Sequence, residues 1–268
     1  MSLRPRVRAA PSVGPVLVAL DVDRDADPAL AVSIRNALGA HLVEPPAPAA
    51  GWRLHLTATQ LELRRSAARR RPLVAQLVEG PAGARLLRAG TRTEALARAV
   101  GLGAGTTTVL DSTAGLGGDT ILLAWLGARV TAVERSPIVA ALLADGLRRA
   151  GLDPRFGPAL AGRVTLVVGD ARQVLEHASP PPDAVLLDPM FPRAGRTALG
   201  RGELQLLREL VGDDDDADEL LAVARRVARR RVVVKRPARA PPLRGPAPDV
   251  VSRGQSTRFD IYLRPLPA

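Results

Sequence analysis

A carboxylate, three glycines and a second carboxylate follow one another closely in Asp111-Ser112-Thr113-Ala114-Gly115-Leu116-Gly117-Gly118-Asp119. Glycine lets the backbone pass close to a ligand because it carries no Cβ. The spacing is Asp-x-x-x-Gly-x-Gly, which differs from the Gly-x-Gly-x-x-Gly of dinucleotide-binding turns. It is the form expected where S-adenosylmethionine (SAM) binds, with Asp111 facing the methionyl ammonium directly or through water. A tight strand-to-helix turn without a ligand is the alternative.

Two further acids end the next two predicted strands. Glu134 follows Val130-Thr131-Ala132-Val133, and a carboxylate there can accept hydrogen bonds from both ribose hydroxyls of an adenosyl group. Taken alone, Glu134 would be an ordinary loop acid. Asp170 precedes Ala171 at the end of the third strand, where an acid can face the adenine amino group. Capping the next helix is the competing role of Asp170, and the two roles are compatible.

The segment Asp188-Pro189-Met190-Phe191-Pro192 follows an apolar run and resembles the Asp/Asn-Pro-Pro-Phe/Tyr motif of methyltransferases that act on exocyclic amines. Such an amine is a poor nucleophile because its lone pair is delocalised into the ring. The Asp188 carboxylate and the carbonyl of Pro189 can hold its N–H groups in a reactive geometry. Phe191 can stack on an extruded base. A proline-rich turn without catalytic function is the alternative.

The elements that must position these residues alternate from residue 93 onward. Such alternation predicts an α/β fold, a Rossmann-like class I methyltransferase sheet that is mostly parallel, with helices on both faces and a final antiparallel strand. Ligands of such sheets bind beyond the carboxyl ends of the strands. The predicted strands are 107–111, 129–134, 164–169, 184–187, 231–235 and 258–263, and the predicted helices are 94–100, 120–126, 138–150, 171–177, 203–211 and 217–230.

The first third of the chain has a different pattern. A strand at 13–20, a helix at 28–38, a hairpin at 52–57 and 60–65, and a strand at 73–78 predict a small N-terminal α+β domain. We therefore expect two domains, at residues 1–92 and 93–268. The smaller domain carries a basic stretch that either docks on RNA or is a solvated face, formed by Arg64, Arg65, Arg69, Arg70 and Arg71.

The amino-acid composition indicates which classes of partner the protein can bind. The net charge is +11, and only one of the 38 cationic residues, Lys235, is lysine. The planar guanidinium of arginine binds phosphate well, which favours a nucleic-acid partner. The alternative is that a GC-rich genome raises the content of arginine, alanine and proline together. Aromatic residues make up 2% of the chain, which excludes a base-stacking sheet of the RRM kind.

Other classes of site have little support in the sequence. Cysteine is absent, and the three histidines lack metal-ligand spacing, so neither a disulfide nor a metal is expected. No run is long enough for a membrane helix, and without an export signal we expect a cytoplasmic protein. The run Asp213-Asp214-Asp215-Asp216 is interpreted as a solvated loop that caps the following helix. The oligomeric state is left open.

Taken together, Asp111–Asp119, Val133–Pro137, Val139–Leu147, Leu187–Pro192, Val232–Pro237 and Arg258–Tyr262 resemble the RsmJ-type family of small-subunit (16S) ribosomal RNA guanine-N2 methyltransferases. The resemblance implies a class I SAM-dependent enzyme whose partner is small-subunit rRNA or the 30S particle. The SAM contacts that it implies are Gly118, Asp119, Glu134, Arg135, Asp170, Ala171 and Asp188.

Three departures from that family affect the site. Gly118 replaces a usual arginine, which leaves only backbone there, and Asp170-Ala171 replaces a usual pair of serines. The basic stretch 88–93 has fewer glycines than the corresponding stretch in that family. RNA phosphates are expected to meet basic residues next to the catalytic motif and at the end of the following strand, namely Arg193, Arg196, Lys235 and Arg236.

Two alternative functions remain open at this stage. The first is a methyltransferase that acts on a DNA base or a protein glutamine amide, because Asp-Pro-Met-Phe alone does not exclude it. The second is a non-catalytic RNA-binding protein with a vestigial cofactor fold. The intact set of Asp111, Glu134 and Asp188 argues against the second alternative.

Overall fold

The computed structural model describes residues 16–43, 51–65, 71–190, 201–212, 214 and 216–264. The strands in chain order are β1 (Val18–Val22), β2 (Trp52–Leu56), β3 (Leu61–Arg65), β4 (Thr108–Asp111), β5 (Arg129–Glu134), β6 (Val164–Val168), β7 (Ala184–Leu187), β8 (Arg231–Pro237), β9 (Val250–Arg253) and β10 (Thr257–Leu263). The helices are α1 (Pro28–Leu38), α2 (Gly80–Arg88), α3 (Ala95–Val100), α4 (Gly118–Trp125), α5 (Pro137–Leu152), α6 (Gly157–Leu160), α7 (Ala171–Glu176), α8 (Arg201–Val211) and α9 (Ala217–Val227).

Seven strands form the larger sheet in the order β6-β5-β4-β7-β8-β10-β9. Strands β6, β5, β4, β7 and β8 are parallel, and β10 pairs antiparallel with β8. The predicted α/β sheet with its final antiparallel strand is confirmed. The chain moves outward in one direction from β4 and in the other from β7, so the point at which the order switches lies between these two strands. Open α/β sheets bind ligands beyond the carboxyl ends of the strands at such a point.

Helices cover both faces of this sheet, which explains why its central strands are continuously apolar. All four residues of β7 are buried. On one face α3 and α4 pack on the sheet, and the rings of Trp125 and Phe156 meet edge to face with centroids 5.2 Å apart. On the other face the buried residues come from α7 and α9 and include Leu175, Leu221 and Ala224.

The small sheet has the order β1-β2-β3, with a parallel first pair and an antiparallel second pair. Its apolar core is shared with α5 and α8. A buried carboxylate in α5 fixes the contact, because Asp145 Oδ2 accepts the N–H of Leu61 at 2.9 Å. Helix α2, although it lies before residue 92, packs in the core of the larger sheet. The domain boundary at residue 92 stays a prediction.

The predicted strand at 73–78 is wrong, because only Leu73 forms a bridge, with Leu63. The segment instead joins the two apolar cores, with Leu73 in that of the small sheet and Leu77 in that of the larger sheet. Arg149 donates to the carbonyl of Ala75 at 2.6 Å. Helix α2 and strand β9 were not predicted. Glycine and proline lower the helix propensity of α2, yet Gly83 is required there because a Cβ would lie 1.9 Å from the carbonyl oxygen of Val78.

Candidate active site

The glycine turn after β4 is shaped by a close approach and by positive φ angles. Gly117 has φ +83°, and a Cβ on it would lie 2.3 Å from Cδ1 of Leu143 in α5. Gly115 has φ +54°, and its N–H donates to Oε2 of Glu134 at 3.0 Å. Gly118 begins α4 with open space where a Cβ would be. The turn therefore joins the end of β4 directly to the carboxylate that ends β5.

Asp111, at the end of β4, is 2% exposed. Burial raises the pKa of its carboxyl to about 7. The hydrogen bond that Thr120 Oγ1 donates to Oδ2 at 2.6 Å acts in the opposite direction and lowers that pKa. The N–H of Thr113 donates to Oδ1 at 3.4 Å. Thr113 lines the cleft, whereas Asp111 does not. Asp111 therefore supports the cleft wall in this structure, and its predicted contact with the methionyl ammonium stays a prediction.

Glu134 is held by two backbone donors on opposite sides. Oε1 accepts the N–H of Ser136 at 2.8 Å, and Oε2 accepts that of Gly115. Ser136 also caps α5, and Pro137 follows at its first turn, so the chain bends sharply just after the carboxylate. Burial raises the pKa of Glu134, although both backbone donors lower it. The side chain is 7% exposed and lines the cleft.

Asp170 caps α7, since its Oδ1 accepts the N–H of Arg172 at 2.8 Å. The Arg172 guanidinium pairs with Oδ2 of the same carboxylate at 2.6 Å and holds the pKa of Asp170 below its usual range. Both Asp170 and Ala171 line the cleft. The capping role considered from the sequence is therefore present, and the carboxylate is also placed where an adenine amino group could reach it.

The acidic run before α9 differs from its interpretation as a solvated loop. Asp214 pairs with Arg135 and is 14% exposed at its side chain, and its Oδ2 accepts the N–H of Met190 at 2.6 Å. Asp216 lies 3.3 Å from Arg135 and makes no capping hydrogen bond through its side chain to α9. The interpretation is wrong for these two acids, because Arg135 is brought to them from about eighty residues away.

Asp188 lies just beyond β7 and is joined to two other elements. Its N–H donates to Oγ1 of Thr113 at 2.7 Å. Its Oδ2 accepts from Nζ of Lys235 at 2.7 Å, and the same ammonium donates to Oδ2 of Asp119 at 2.6 Å. Burial lowers the pKa of Lys235, but the two carboxylates outweigh it and raise that pKa above its usual value. Lys235 is therefore cationic between two anions.

Not every predicted site residue lies at the cleft. Asp188, Pro189 and Met190 line it, whereas Phe191, Arg193 and Arg196 lie outside the described residues. Arg236 points to the opposite face of β8 from Lys235, is 2% exposed and lies 3.8 Å from Asp260. Because Arg236 is buried, the structure lends no support to its predicted phosphate contact, which stays a prediction. Lys235 faces Asp119 and Asp188 and is likewise not placed on an open RNA surface.

The cleft itself is acidic although the chain is strongly basic. It encloses about 890 Å³, including its open mouth. Its charged lining consists of five carboxylates and two guanidinium groups, namely Glu134, Asp170, Asp188, Asp214, Asp216, Arg135 and Arg172. In the part of the chain that the structure describes, no three His, Asp or Glu side chains are arranged to hold a metal ion. Nor is any helix in that part long and apolar enough to cross a membrane.

A sheet of this strand order, with a glycine turn and carboxylates at the ends of its central strands, defines a class I SAM-dependent methyltransferase. A solved SAM-dependent methyltransferase from Neisseria gonorrhoeae is 36% identical, with a TM-score of 0.72 over 92% of this chain and 95% of the other. Residues 39–264 match the family model described as "Putative SAM-dependent methyltransferase". SAM is therefore the cofactor.

Curated relatives narrow the class to one family. The ribosomal RNA small subunit methyltransferase J of Thioalkalivibrio sulfidiphilus is 49% identical over 72% of this chain and 76% of its own length. The protein of that name from Alkalilimnicola ehrlichii is 45% identical over 88% of this chain and 91% of its own. The chain belongs to the ribosomal RNA small subunit methyltransferase J family, as the resemblance in the sequence implied.

Proposed function

We propose that this chain transfers the methyl group of SAM to the N2 amine of a guanine in small-subunit (16S) ribosomal RNA, at guanine 1516. One observation carries the proposal. Asp188, the acid of the amine-methyltransferase motif, lies at the cleft with one carboxylate oxygen on Lys235. Within the described part of the chain, its other oxygen has no hydrogen-bond partner. That free acceptor is what an exocyclic amine requires.

The charge of the cleft lining favours SAM. SAM carries a sulfonium and an ammonium, and five carboxylates against two guanidinium groups favour such a cation. We assign Glu134 to the ribose hydroxyls, and Asp170 and Ala171 to the adenine. We assign the glycine turn and Asp111 to the methionyl end. SAM supplies an activated methyl group. The protein therefore has to bind and orient the two substrates and exclude water, and it does not have to form a covalent bond itself.

Asp188 has the task of making a poor nucleophile reactive. Its free oxygen accepts one N–H of the guanine N2 amine and, with the Pro189 carbonyl, directs the lone pair toward the methyl carbon. SAM would supply the methyl carbon, and the electron pair of its S–C bond would stay on sulfur as N2 takes up the methyl group. The proton that leaves N2 can pass to the Asp188 carboxylate. The base has to be unpaired or extruded to reach this position.

The RNA contacts are proposed outside the cleft, because its acidic lining repels phosphate. Arg193 and Arg196 follow the catalytic motif and remain the proposed phosphate contacts, and Phe191 remains the proposed stacking ring. In the small sheet, Arg64 is paired with Glu62 and Arg65 with Glu209. Docking of that sheet on RNA stays a prediction. A ribosomal substrate favours a cytoplasmic location for the protein.

Labelled SAM and three substrates offered in parallel test the proposal: small-subunit rRNA, with and without its ribosomal proteins, DNA, and a protein extract. We expect label only in the rRNA samples, at N2-methylguanine after nuclease digestion and mass spectrometry. Asp188→Ala serves as the inactive control. Label that enters only DNA or protein would contradict the substrate, and a different modified base in the rRNA would contradict the N2 chemistry.

A further inference from the structure

Lys235 is the only lysine in a chain that uses arginine at the other 37 cationic positions. Its ammonium lies 2.6 Å from Asp119 Oδ2 and 2.7 Å from Asp188 Oδ2. The three residues come from the first turn of α4, the end of β7 and strand β8. The family resemblance implied a cofactor contact for Asp119, and Lys235 was predicted to contact an RNA phosphate. The structure gives both side chains a different partner.

We propose that Lys235 is a positioning residue for methyl transfer, which turns the Asp188 carboxylate toward the substrate amine and keeps it ionised, and that Asp119 anchors Lys235. This inference rests on the proposed role of Asp188 and adds two residues to it. Lys235 occupies one oxygen of Asp188, so the other oxygen is the one that meets the amine. An ammonium does this without reaching the substrate or the cofactor itself.

The size of the ammonium explains why lysine is present here. Two carboxylate oxygens lie within 2.7 Å of a single nitrogen, which suits a compact point charge with three donors. A guanidinium is a wide planar fork that would meet one carboxylate in a bidentate pair and displace the other. Lys235 is also partly shielded, with 27% of its side chain exposed, so the attraction is screened less than at the surface.

The charges around Asp188 show what Lys235 opposes. Burial is the main cause that raises the pKa of Asp188, and the charges of Asp119 and Asp214 add to it. The charges of Asp119 and Asp188 act in the same direction on the pKa of Asp111. Like charges at short range favour protonation of a carboxyl group. A protonated Asp188 would lose its capacity as an acceptor and as a base. Lys235 is the cation in direct contact with Asp188 among the described residues.

The decisive experiment compares Lys235→Met, Lys235→Arg and Asp119→Asn with the full-length wild-type protein. Single-turnover transfer is measured at saturating SAM from pH 5 to pH 9, on whichever of the parallel substrates accepts the methyl group, and SAM affinity is measured by calorimetry. Arg155→Met is the matched control. It removes a cation paired with a carboxylate at 2.8 Å, outside the cleft lining.

For Lys235→Met we expect transfer to fall about 100-fold at pH 7, at the lower end of the roughly 10²- to 10⁴-fold that the acid–base group it positions contributes. The acid limb of its profile should move up by about one pH unit, because Asp188 gains its proton more readily. SAM affinity should change less than about threefold, since Lys235 does not line the cleft. Lys235→Arg should slow transfer but keep the wild-type acid limb. The transfer rate of Asp119→Asn should lie between those of wild type and Lys235→Met, and the rate of Arg155→Met should match that of wild type.

An unmoved acid limb in Lys235→Met would overturn the proposal and leave Lys235 a purely structural ion pair. Weakened SAM binding in Asp119→Asn with an unchanged transfer rate would overturn the anchoring role and return Asp119 to the cofactor. Failure of the proposed substrate is recognised separately, because the wild-type protein would then methylate DNA or protein instead. The Lys235 and Asp119 variants would then be compared with wild type on that substrate.

Discussion

The cleft holds its carboxylates in two different ways. In what we call the adenosyl half, Glu134 and Asp170 accept backbone N–H groups two residues along the chain, and Glu134 adds Gly115, nineteen residues away. In what we call the transfer corner, Asp188 and Asp119 meet at Lys235. That lysine is 47 residues from one and 116 from the other. One half is built by local bends, and the other exists only once the sheet is complete.

The difference separates binding from reaction. Backbone donors fix the acids of the adenosyl half in the turns that also start α5 and α7, so this half is formed wherever those helices start. The transfer corner depends on β8 lying beside β7 and on the first turn of α4 bringing Asp119 to Lys235. Substitutions in the adenosyl half should therefore change SAM affinity, whereas substitutions in the transfer corner should change the rate of the chemical step.

Asp188→Ala should have the largest effect. It removes the acceptor for the amine and leaves Lys235 paired only with Asp119. We expect transfer to fall by about 10³-fold or more, within the range for a positioned acid–base group, with SAM affinity reduced less than about fivefold. Single-turnover rates and calorimetry measure the two quantities. Near-normal turnover would remove Asp188 from the mechanism and would erase the distinction between the two halves.

Asp111→Asn should change stability with pH. In the folded chain the pKa of Asp111 is about 7, against 3.8 for the ordinary carboxyl. Between these values the folded state holds a proton that the unfolded state has released, so stability falls as pH rises from about 4 through 7. Asparagine does not ionise and can still accept the hydrogen bond of Thr120. The variant should be more stable than wild type at pH 8, by at most about 4 kcal/mol.

Urea unfolding at pH 4.5 and pH 8 measures that effect, with the exposed Asp25→Asn as its control. A gain that is several-fold larger at pH 8 than at pH 4.5 is expected for Asp111→Asn alone. An equal change at both pH values would show that Asp111 does not gain its proton on folding. The result matters for the comparison, because Asp111 lies between the adenosyl half and the transfer corner and touches Thr113, which bonds to Asp188.

Glu134→Ala should raise the dissociation constant for SAM about 10- to 100-fold, because hydrogen bonds to a charged group contribute roughly 1.5–3 kcal/mol. It also leaves the N–H groups of Gly115 and Ser136 without their acceptor. Glu134→Gln keeps one oxygen acceptor and should lose less affinity. At saturating SAM the transfer rate should stay within about threefold of wild type. An unchanged dissociation constant would refute the ribose role.

The same contrast explains how far the sequence predicted the site. Local signals marked the adenosyl half, since a glycine turn, an acid at each strand end and an N-cap can all be recognised within about ten residues. The sheet was predictable for the same reason, from apolar runs that alternate with helices. Helix α2 contradicts its own propensity because Gly83 packs against Val78, and β9 is an edge strand whose Val250 and Val251 are exposed.

The transfer corner had no local signal of this kind. Nothing near Lys235 in the chain shows that Asp119 is its partner, and the Lys-Arg pair was interpreted as two phosphate contacts. Alternation along β8 sends the two side chains to opposite faces, one to Asp119 and Asp188 and the other into a buried contact with Asp260. The solitary lysine in an arginine-rich chain was the one available signal.

Arg172→Gln should have the smallest effect and tests the adenosyl half from its rim. The guanidinium pairs with Asp170 and with Glu219, at 2.6 Å in each case, and is 30% exposed. Partly exposed ion pairs of this kind contribute less than about 1 kcal/mol, and the backbone N–H that Asp170 caps is kept. Because Arg172 lowers the pKa of Asp170, its removal should raise that pKa toward the ordinary value, and the carboxylate stays ionised at neutral pH.

The free energy of unfolding of Arg172→Gln, from urea titration, should therefore fall by less than about 1 kcal/mol. SAM affinity should change less than about threefold, and any change should be a gain, because Asp170 is released from its partner to meet the adenine amino group. Arg226→Gln, which removes a long, exposed contact with Glu176, is the control. A loss of SAM affinity as large as that of Glu134→Ala would mean that side-chain ion pairs, and not the backbone bonds of the turns, shape the adenosyl half.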